Sequence, residues 1–291
     1  MDNFMLNIRG LTKRFDKFTF GPVDLQVEKG TVLALVGANS SGKTTFFRLL
    51  MSILQPDDGT IELLHQRLAD NETELKKQVG FAGELLAPFE HLSIKELASL
   101  ISYWYPTWDH ERYTYFIERY AIDDSAKLGK SSKGTWKKIE FIFALCHRPQ
   151  LLLLDEPSAG VDISSQRKIR EDVTAFMEDG EKNVVLATHN IEEIKHLCDY
   201  VAILHKGKLV RTILKDDIFD NWSRVWLPSV TKKIADHPNT VAIAEHPPQI
   251  VTDNLEETEK LLQEERMNVL NRQRLQLDEV IEYIGSPPPG R

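Results

Sequence analysis

An α/β fold with a mostly parallel central sheet is the class that the sequence predicts, and three observations carry it. Continuously apolar runs of strand length recur at residues 31–36, 79–82, 151–154, 184–187 and 201–204. Helix-length polar or amphipathic segments separate them, the alternation expected when parallel strands are joined by crossovers. The first run leads straight into a glycine-rich turn and a helical pattern that begins near Lys43.

Taken in order, residues 1–30 carry short alternating runs such as Leu6-Asn7-Ile8-Arg9 and Val23-Asp24-Leu25-Gln26-Val27, bounded by Gly10, Gly21 and Gly30. This is an antiparallel pattern. The run 31–36 is apolar at nearly every position, as a strand covered on both faces would be. Between 92 and 146 the pattern stays helical and rich in aromatics, from Tyr103 and Trp104 to Tyr120. We read it as a helical subdomain inserted at about 85–146, with most of its aromatics in the core. After about Lys215 the regularity falls. Strand-like pieces at 223–227 and 241–244 precede a charged helix over roughly 255–270, a small α+β extension spanning 216–285. The last residues, 286–291, have no apolar side chains to bury and are expected to be disordered.

At 291 residues and 42% hydrophobic, the chain can bury one substantial core and a smaller second one. A formal charge of -8 offers no broad attraction to polyanions, so nucleic acid is not an expected partner. Cys146 and Cys198 each sit in apolar stretches outside any CxxC pattern and read as reduced core residues in a cytosolic protein. Charges interrupt the amino end, and nowhere do eighteen apolar residues run together, so the chain is not expected to cross a membrane itself.

Gly37-Ala38-Asn39-Ser40-Ser41-Gly42-Lys43-Thr44 fits GxxxxGK[ST] in the context that pattern requires, after a buried strand and before a helix. The glycines let backbone N–H groups turn inward around phosphates, and the helix start aims its positive end at them. Lys43 neutralises β/γ charge, and the Thr44 hydroxyl is placed to ligate Mg²⁺. Thr45 completes the ATP-binding stretch. The fold is thus a P-loop NTPase core, with ATP and Mg²⁺ as its ligands. Leu151-Leu152-Leu153-Leu154-Asp155-Glu156 ends a buried strand in two acids that a packing role does not explain. Asp155 can hold the Mg²⁺ shell and Glu156 can polarise a water for in-line attack. A helix-cap role for these acids is the alternative.

Glu156-Pro157-Ser158-Ala159-Gly160-Val161-Asp162 and Ala187-Thr188-His189 follow in order. With them the chain, from about Leu6 to Val210, resembles the nucleotide-binding domain of ABC transporters. The resemblance makes 37–44 the Walker A loop, 151–155 Walker B, Glu156 the catalytic carboxylate, 159–162 with Asp162 the D-loop, and His189 the switch histidine. It assigns adenine stacking to Phe15, for which Phe18 and Phe20 compete. The signature segment stands as Ser131-Ser132-Lys133-Gly134-Thr135, altered from the usual LSGGQ. In the family it binds the γ-phosphate held by the opposing subunit, and Ser132 and Gly134 retain the means. Lys133 adds charge near ATP or faces solvent, solvent being preferred. Glu84 replaces the usual glutamine and can reach Mg²⁺ or its water. Leu85, Leu86 and Phe89 with the aromatic insertion would line the groove for a coupling helix.

The Ser-Lys-Gly signature, the segment Trp104-Tyr105-Pro106-Thr107-Trp108-Asp109 and the ending Leu277-Asp278-Glu279-Val280-Ile281-Glu282-Tyr283-Ile284 further resemble bacterial ABC-2 type exporter ATPases of the multidrug, antibiotic-resistance and Ytr-like groups. The resemblance implies an ATPase domain at 1–215 on the cytoplasmic face of the membrane. Its partners would be membrane-spanning permease subunits and a second ATP-binding subunit, in a homodimer or heterodimer. A soluble ABC ATPase acting on nucleic acid or the ribosome is the rival, opposed by the acidic charge and by one nucleotide motif per chain. A regulatory ATPase that no longer hydrolyses is opposed by the intact Lys43, Asp155, Glu156 and His189.

Overall fold

The computed structural model describes residues 4–285. The segment 286–291, expected to be disordered, lies outside the described residues. In chain order, β1 (Phe4–Phe15), β2 (Phe18–Glu28), β3 (Val32–Val36) and α1 (Lys43–Leu50) lead to β4 (Asp58–Leu63), β5 (Gln66–Arg67), α2 (Glu72–Lys76) and β6 (Val79–Ala82). Three helices follow, α3 (Ile94–Ser102), α4 (His110–Arg119) and α5 (Lys133–Cys146). The chain then returns through β7 (Leu151–Asp155), α6 (Ile163–Met177), β8 (Asn183–Ala187), α7 (Ile191–Leu197), β9 (Tyr200–His205) and β10 (Lys208–Leu214). The remainder forms α8 (Lys215–Asn221), β11 (Ser223–Trp226), α9 (Lys232–Ala235), β12 (Thr240–Glu245), β13 (Pro248–Thr252), α10 (Leu255–Glu264), β14 (Asn271–Arg274) and α11 (Leu277–Gly285).

The central sheet has six strands in the order β10-β9-β3-β8-β7-β6, parallel except for β10. Its apolar runs are continuous because both faces are covered. Leu33, Leu35, Leu151, Leu153 and Val185 enter one core with α1 and the antiparallel sheet. Ala34, Val36, Leu152, Leu154, Val184 and Leu186 enter the other, with the helices. The period-two alternation of a strand thus feeds two cores from one sequence. In the antiparallel sheet, β2-β1-β4-β5, strands β1 and β2 are those expected from residues 1–30, while β4 and β5 join from 58–67, where the sequence pattern gave no strand.

The helical insertion is pinned to the core by a polar contact as well as by packing. Tyr120, which ends α4, donates its hydroxyl to Asp172 of α6 at 2.7 Å, and the Arg119 guanidinium lies 3.0 Å from the same carboxylate. Of its aromatics, Tyr113, Phe116 and Tyr120 are buried, whereas Tyr103, Trp104 and Tyr115 stand exposed.

The C-terminal piece is a third sheet, β12-β13-β11-β14, with its own small core around Val225, Leu227, Ile250 and Leu262. Here the structure corrects the helix expected over 255–270. It stops at Glu264 because its buried stripe ends at Leu261 and Leu262, and Arg266 takes a left-handed turn (φ 51°). The Met267 amide closes that turn on the Leu262 carbonyl at 2.8 Å, and the chain re-enters the sheet as β14. Strand β13, which the sequence reading missed, lies between β12 and β11. Helix α11 returns to the main body, where Leu277 and Val280 are buried in the helix-side core.

Candidate active site

Three neighbouring parallel strands build the site. Leu35 of β3 and Asp155 of β7 both pair with Ala187 of β8, so the three strands finish in one row. The loop 37–42, the acids 155–156 and the pair Thr188-His189 therefore leave the sheet side by side, at the carboxyl edge where open α/β sheets bind ligands.

The loop takes its shape from its glycines. Gly37, at φ 155°, passes so close to β9 that a Cβ would lie 2.2 Å from the Leu204 carbonyl oxygen. Gly42, at φ 110°, occupies the N-cap of α1, which has no side-chain cap. Uncapped first-turn N–H groups are a ready anion site. A cavity of about 460 Å³ opens there, lined by residues 39–45, Phe18, Asp155 and Glu156. Lys43 Nζ, which lines it, donates to Gly37 O at 2.8 Å and to Ala38 O at 3.4 Å.

Lys43, Thr44, Asp155 and Glu156 line this cavity, and His189 stands beside them. Thr44 donates its hydroxyl to Asp155 Oδ2 at 3.0 Å. Lys43 Nζ lies 3.2 Å from His189 Nε2, which lies 3.2 Å from Glu156 Oε1. Burial lowers the Lys43 pKa, against the pull of Glu156 and Asp155. Burial raises both carboxyls; Thr44 and Lys137 oppose it at Asp155, and Lys43 opposes it at Glu156. Burial and the nearby Lys43 charge both lower the His189 pKa. Glu156 holds a left-handed φ of 53° while its amide donates to Ala187 O at 2.9 Å. Strain at a non-glycine residue of this kind clusters at functional sites.

Two hard oxygen donors, the Thr44 hydroxyl and the Asp155 carboxylate, thus meet at one point, and their chemistry fits a divalent cation such as Mg²⁺. Among the described residues no cluster of three or more His, Cys, Asp or Glu side chains forms a metal cage. Mg²⁺ that keeps waters and phosphate ligands needs none.

Other predicted residues lie elsewhere. Phe15 is 41% exposed and stacks on Phe18 at 6.1 Å; Phe18 lines the cavity, and Phe20 is wholly buried against Phe46. Glu84 lines a separate cavity of about 520 Å³ with Ser131, Lys133, Trp136, Lys137, Glu140 and the 159–160 turn. Ser132 caps α5, accepting from the Thr135 amide at 3.1 Å, and Lys133 is exposed. Gly134 packs so tightly that a Cβ would sit 2.6 Å from Gly160 O. Asp162 caps α6; the Ser165 amide and hydroxyl hold its carboxyl down to about 2. A groove of about 290 Å³ is lined by Leu85, Leu86, Trp104, Tyr105, Phe143 and His147 among others, while Phe89 packs against the helix-side core. Lys137 and Glu140, beside the site, were not singled out from the sequence.

The family model for ABC transporter matches residues 20–159. The ABC transporter ATP-binding protein MJ1023 of Methanocaldococcus jannaschii is 32% identical over 73% of this chain and 79% of its own length. The bacitracin transport ATP-binding protein BcrA of Bacillus licheniformis is 26% identical, over 67% of this chain and 65% of its own. A solved ATP-binding subunit of an ABC transporter superposes with a TM-score of 0.66 at 25% identity, covering 74% of this chain and 91% of that one. The cassette MJ0796, solved as a post-hydrolysis dimer with ADP and Pi, shares the fold with a TM-score of 0.64 at 20% identity, covering 72% of this chain and 99% of that one. Among the described residues no helix is long and apolar enough to cross a membrane.

Proposed function

Since the chain belongs to the ABC transporter family as an ATP-binding, ATP-hydrolysing subunit, we propose that it powers an exporter by ATP-driven dimerisation. What supports the reading of its site is the meeting of Lys43, Thr44, Asp155, Glu156 and His189 at the ends of three adjacent strands.

In this reading the amides of residues 39–45 wrap the phosphates and Lys43 neutralises the β/γ oxygens. Thr44 and Asp155 hold Mg²⁺, which when bound screens phosphate charge. Glu156 takes the proton of the attacking water, a task for which a raised pKa suits it, and His189 orients that carboxylate. Water adds to the γ-phosphorus as the bond to the β-phosphate oxygen breaks, giving ADP and phosphate. Phe18, with Phe15 behind it, stacks the adenine. Glu84 stands toward the signature face, and its charge acts on Asp155, so it is read as reaching Mg²⁺ through a bound water.

Ser132, Lys133 and Gly134 are read as the surface offered to nucleotide on the opposing subunit, with Asp162 shaping the turn beside it. The altered signature favours pairing with a different ATP-binding subunit as much as a symmetric dimer. The groove beside Trp104 and Tyr105 is the proposed seat of a permease segment, which would hold the chain at the cytoplasmic face of the membrane. On this view residues 1–215 form the ATPase domain and 216–285 an extension. Glu156→Gln tests the core of the proposal: hydrolysis should fall at least about a hundredfold while ATP still binds and stabilises dimers. Near-normal turnover by that variant would remove Glu156 from its role.

A further inference from the structure

Behind the Thr44–Asp155 contact stands a charge pair that neither the motifs nor the proposed reaction uses. Lys137, in the second turn of α5, donates Nζ–H to the main-chain carbonyl of Asp155 at 3.1 Å. The same nitrogen lies 3.5 Å from Glu140 Oε2, one turn further along the helix. Glu140 is 4% exposed, and among the described residues its Oε2 accepts no hydrogen bond. Burying a lysine and a glutamate is costly, and an apolar pair would fill the space at less expense. Their position suggests a reason. Pairing of β7 with β6 ends at Ala82 opposite Leu154, one residue short of Asp155. Beyond Asp155 the chain turns sharply into the left-handed Glu156. The peptide that carries the metal-side carboxylate is therefore still held by β8, through the Glu156 amide on Ala187 O, but has no sheet partner on its β6 side, and Lys137 supplies a donor to the Asp155 carbonyl.

We propose that Lys137 is a positioning residue that fixes the Asp155 peptide, and through it the direction of the Asp155 carboxylate toward Thr44, with Glu140 holding the lysine in place. The helix that begins at Ser132 is thereby tied to the cation side of the nucleotide site. Glu140 also lines the groove beside Trp104, so the pair spans the distance from groove to strand end. This rests on the reading that Thr44 and Asp155 hold a divalent cation.

The test is Mn²⁺ binding to the full chain with ADP, followed by electron paramagnetic resonance, beside ADP binding in EDTA. K137M should weaken Mn²⁺ binding about tenfold, and E140Q about threefold, as outer partners of a metal ligand do. K137R, which keeps a charged donor, should recover most of the loss, and ADP binding in EDTA should stay within about twofold throughout. Mn²⁺ affinity in K137M equal to that of the wild type, or an equal loss of ADP binding in EDTA, overturns the inference. Should K137M fail to fold, by circular dichroism, E140Q decides alone: unchanged Mn²⁺ affinity overturns it. A wild-type protein that takes up no Mn²⁺ with ADP sinks the reading of the site as well. Normal wild-type binding with an indifferent K137M sinks only the role of Lys137.

Discussion

Glu140 carries a cost that can be weighed directly. Burial raises its carboxyl from 4.5 to about 7, only partly offset by Lys137. The folded protein therefore keeps a proton there that the unfolded chain releases near pH 4.5. The associated stability is fully present below that pH and is lost as pH rises through 7, about 3 kcal/mol in all. E140Q should accordingly be more stable than the wild type at pH 8 by up to that amount and nearly equal to it at pH 5, in urea denaturation. A difference between the two proteins that stays the same from pH 5 to pH 8 would refute the shift. A second residue-scale prediction concerns the base. Phe15 and Phe18 pair across the turn between β1 and β2, and of the two Phe18 lines the cavity. Phe18→Ala should weaken ATP binding by about 1–2 kcal/mol and Phe15→Ala by less, measured by titration calorimetry. The reverse order would return the role to Phe15. Spacing alone could not rank the three phenylalanines, because the hairpin pairing decides which ring lines the cavity and which, like Phe20, is swallowed by the core.

The segment at the start of α5 and the turn at 159–160 touch through bare backbone. Gly134→Ala would drive a methyl to within 2.6 Å of Gly160 O, and neither partner is a flexible side chain that could move aside. We expect a loss of about 1–3 kcal/mol in stability and a drop in turnover exceeding what the loss of folded protein explains, since the turn carrying Asp162 must shift. A variant with wild-type melting and wild-type kcat would show that the contact has slack. The elements themselves were largely legible because the parallel sheet writes an uninterrupted apolar run for each strand, and Val79–Ala82 was read with its observed bounds. The loop 37–44 was legible because its chemistry fixes the residue types. What escaped was set by pairing rather than pattern. Strand β13 is five residues long and needs β11 and β12 on either side to exist, and β14 is wholly exposed, so no periodicity marks it. Lys137 and Glu140 look like an ordinary charged helix face until the end of β7 comes up behind them.

At the scale of the whole molecule, the C-terminal piece is less separable than the fall in sequence regularity suggests. Its sheet has a core of its own, yet Trp222, Val251, Leu275, Leu277 and Val280 belong to the helix-side core of the main body. The end of α11 reaches the last residue of β9, where a Cβ on Gly285 would stand 3.0 Å from His205 Nδ1. Two residues later Gly207 donates its amide to Ser41 O of the 37–44 loop at 2.9 Å and accepts from the Gly21 amide at 2.7 Å. A short mechanical route therefore runs from α11 through the turn between β9 and β10 to the loop proposed to hold ATP. Ending the chain after Gln276 should expose the patch covered by Leu277 and Val280, at about 25 cal/mol per Å², and cost about 3–5 kcal/mol of main-body stability. The sharper expectation is that ATP affinity falls with it, even at a temperature where the truncated protein is fully folded. If calorimetry finds ATP binding unchanged while the melting temperature drops, the helix only covers core and the route to the loop carries nothing. If both are unchanged, its packing against β9 and β10 contributes nothing to the folded body.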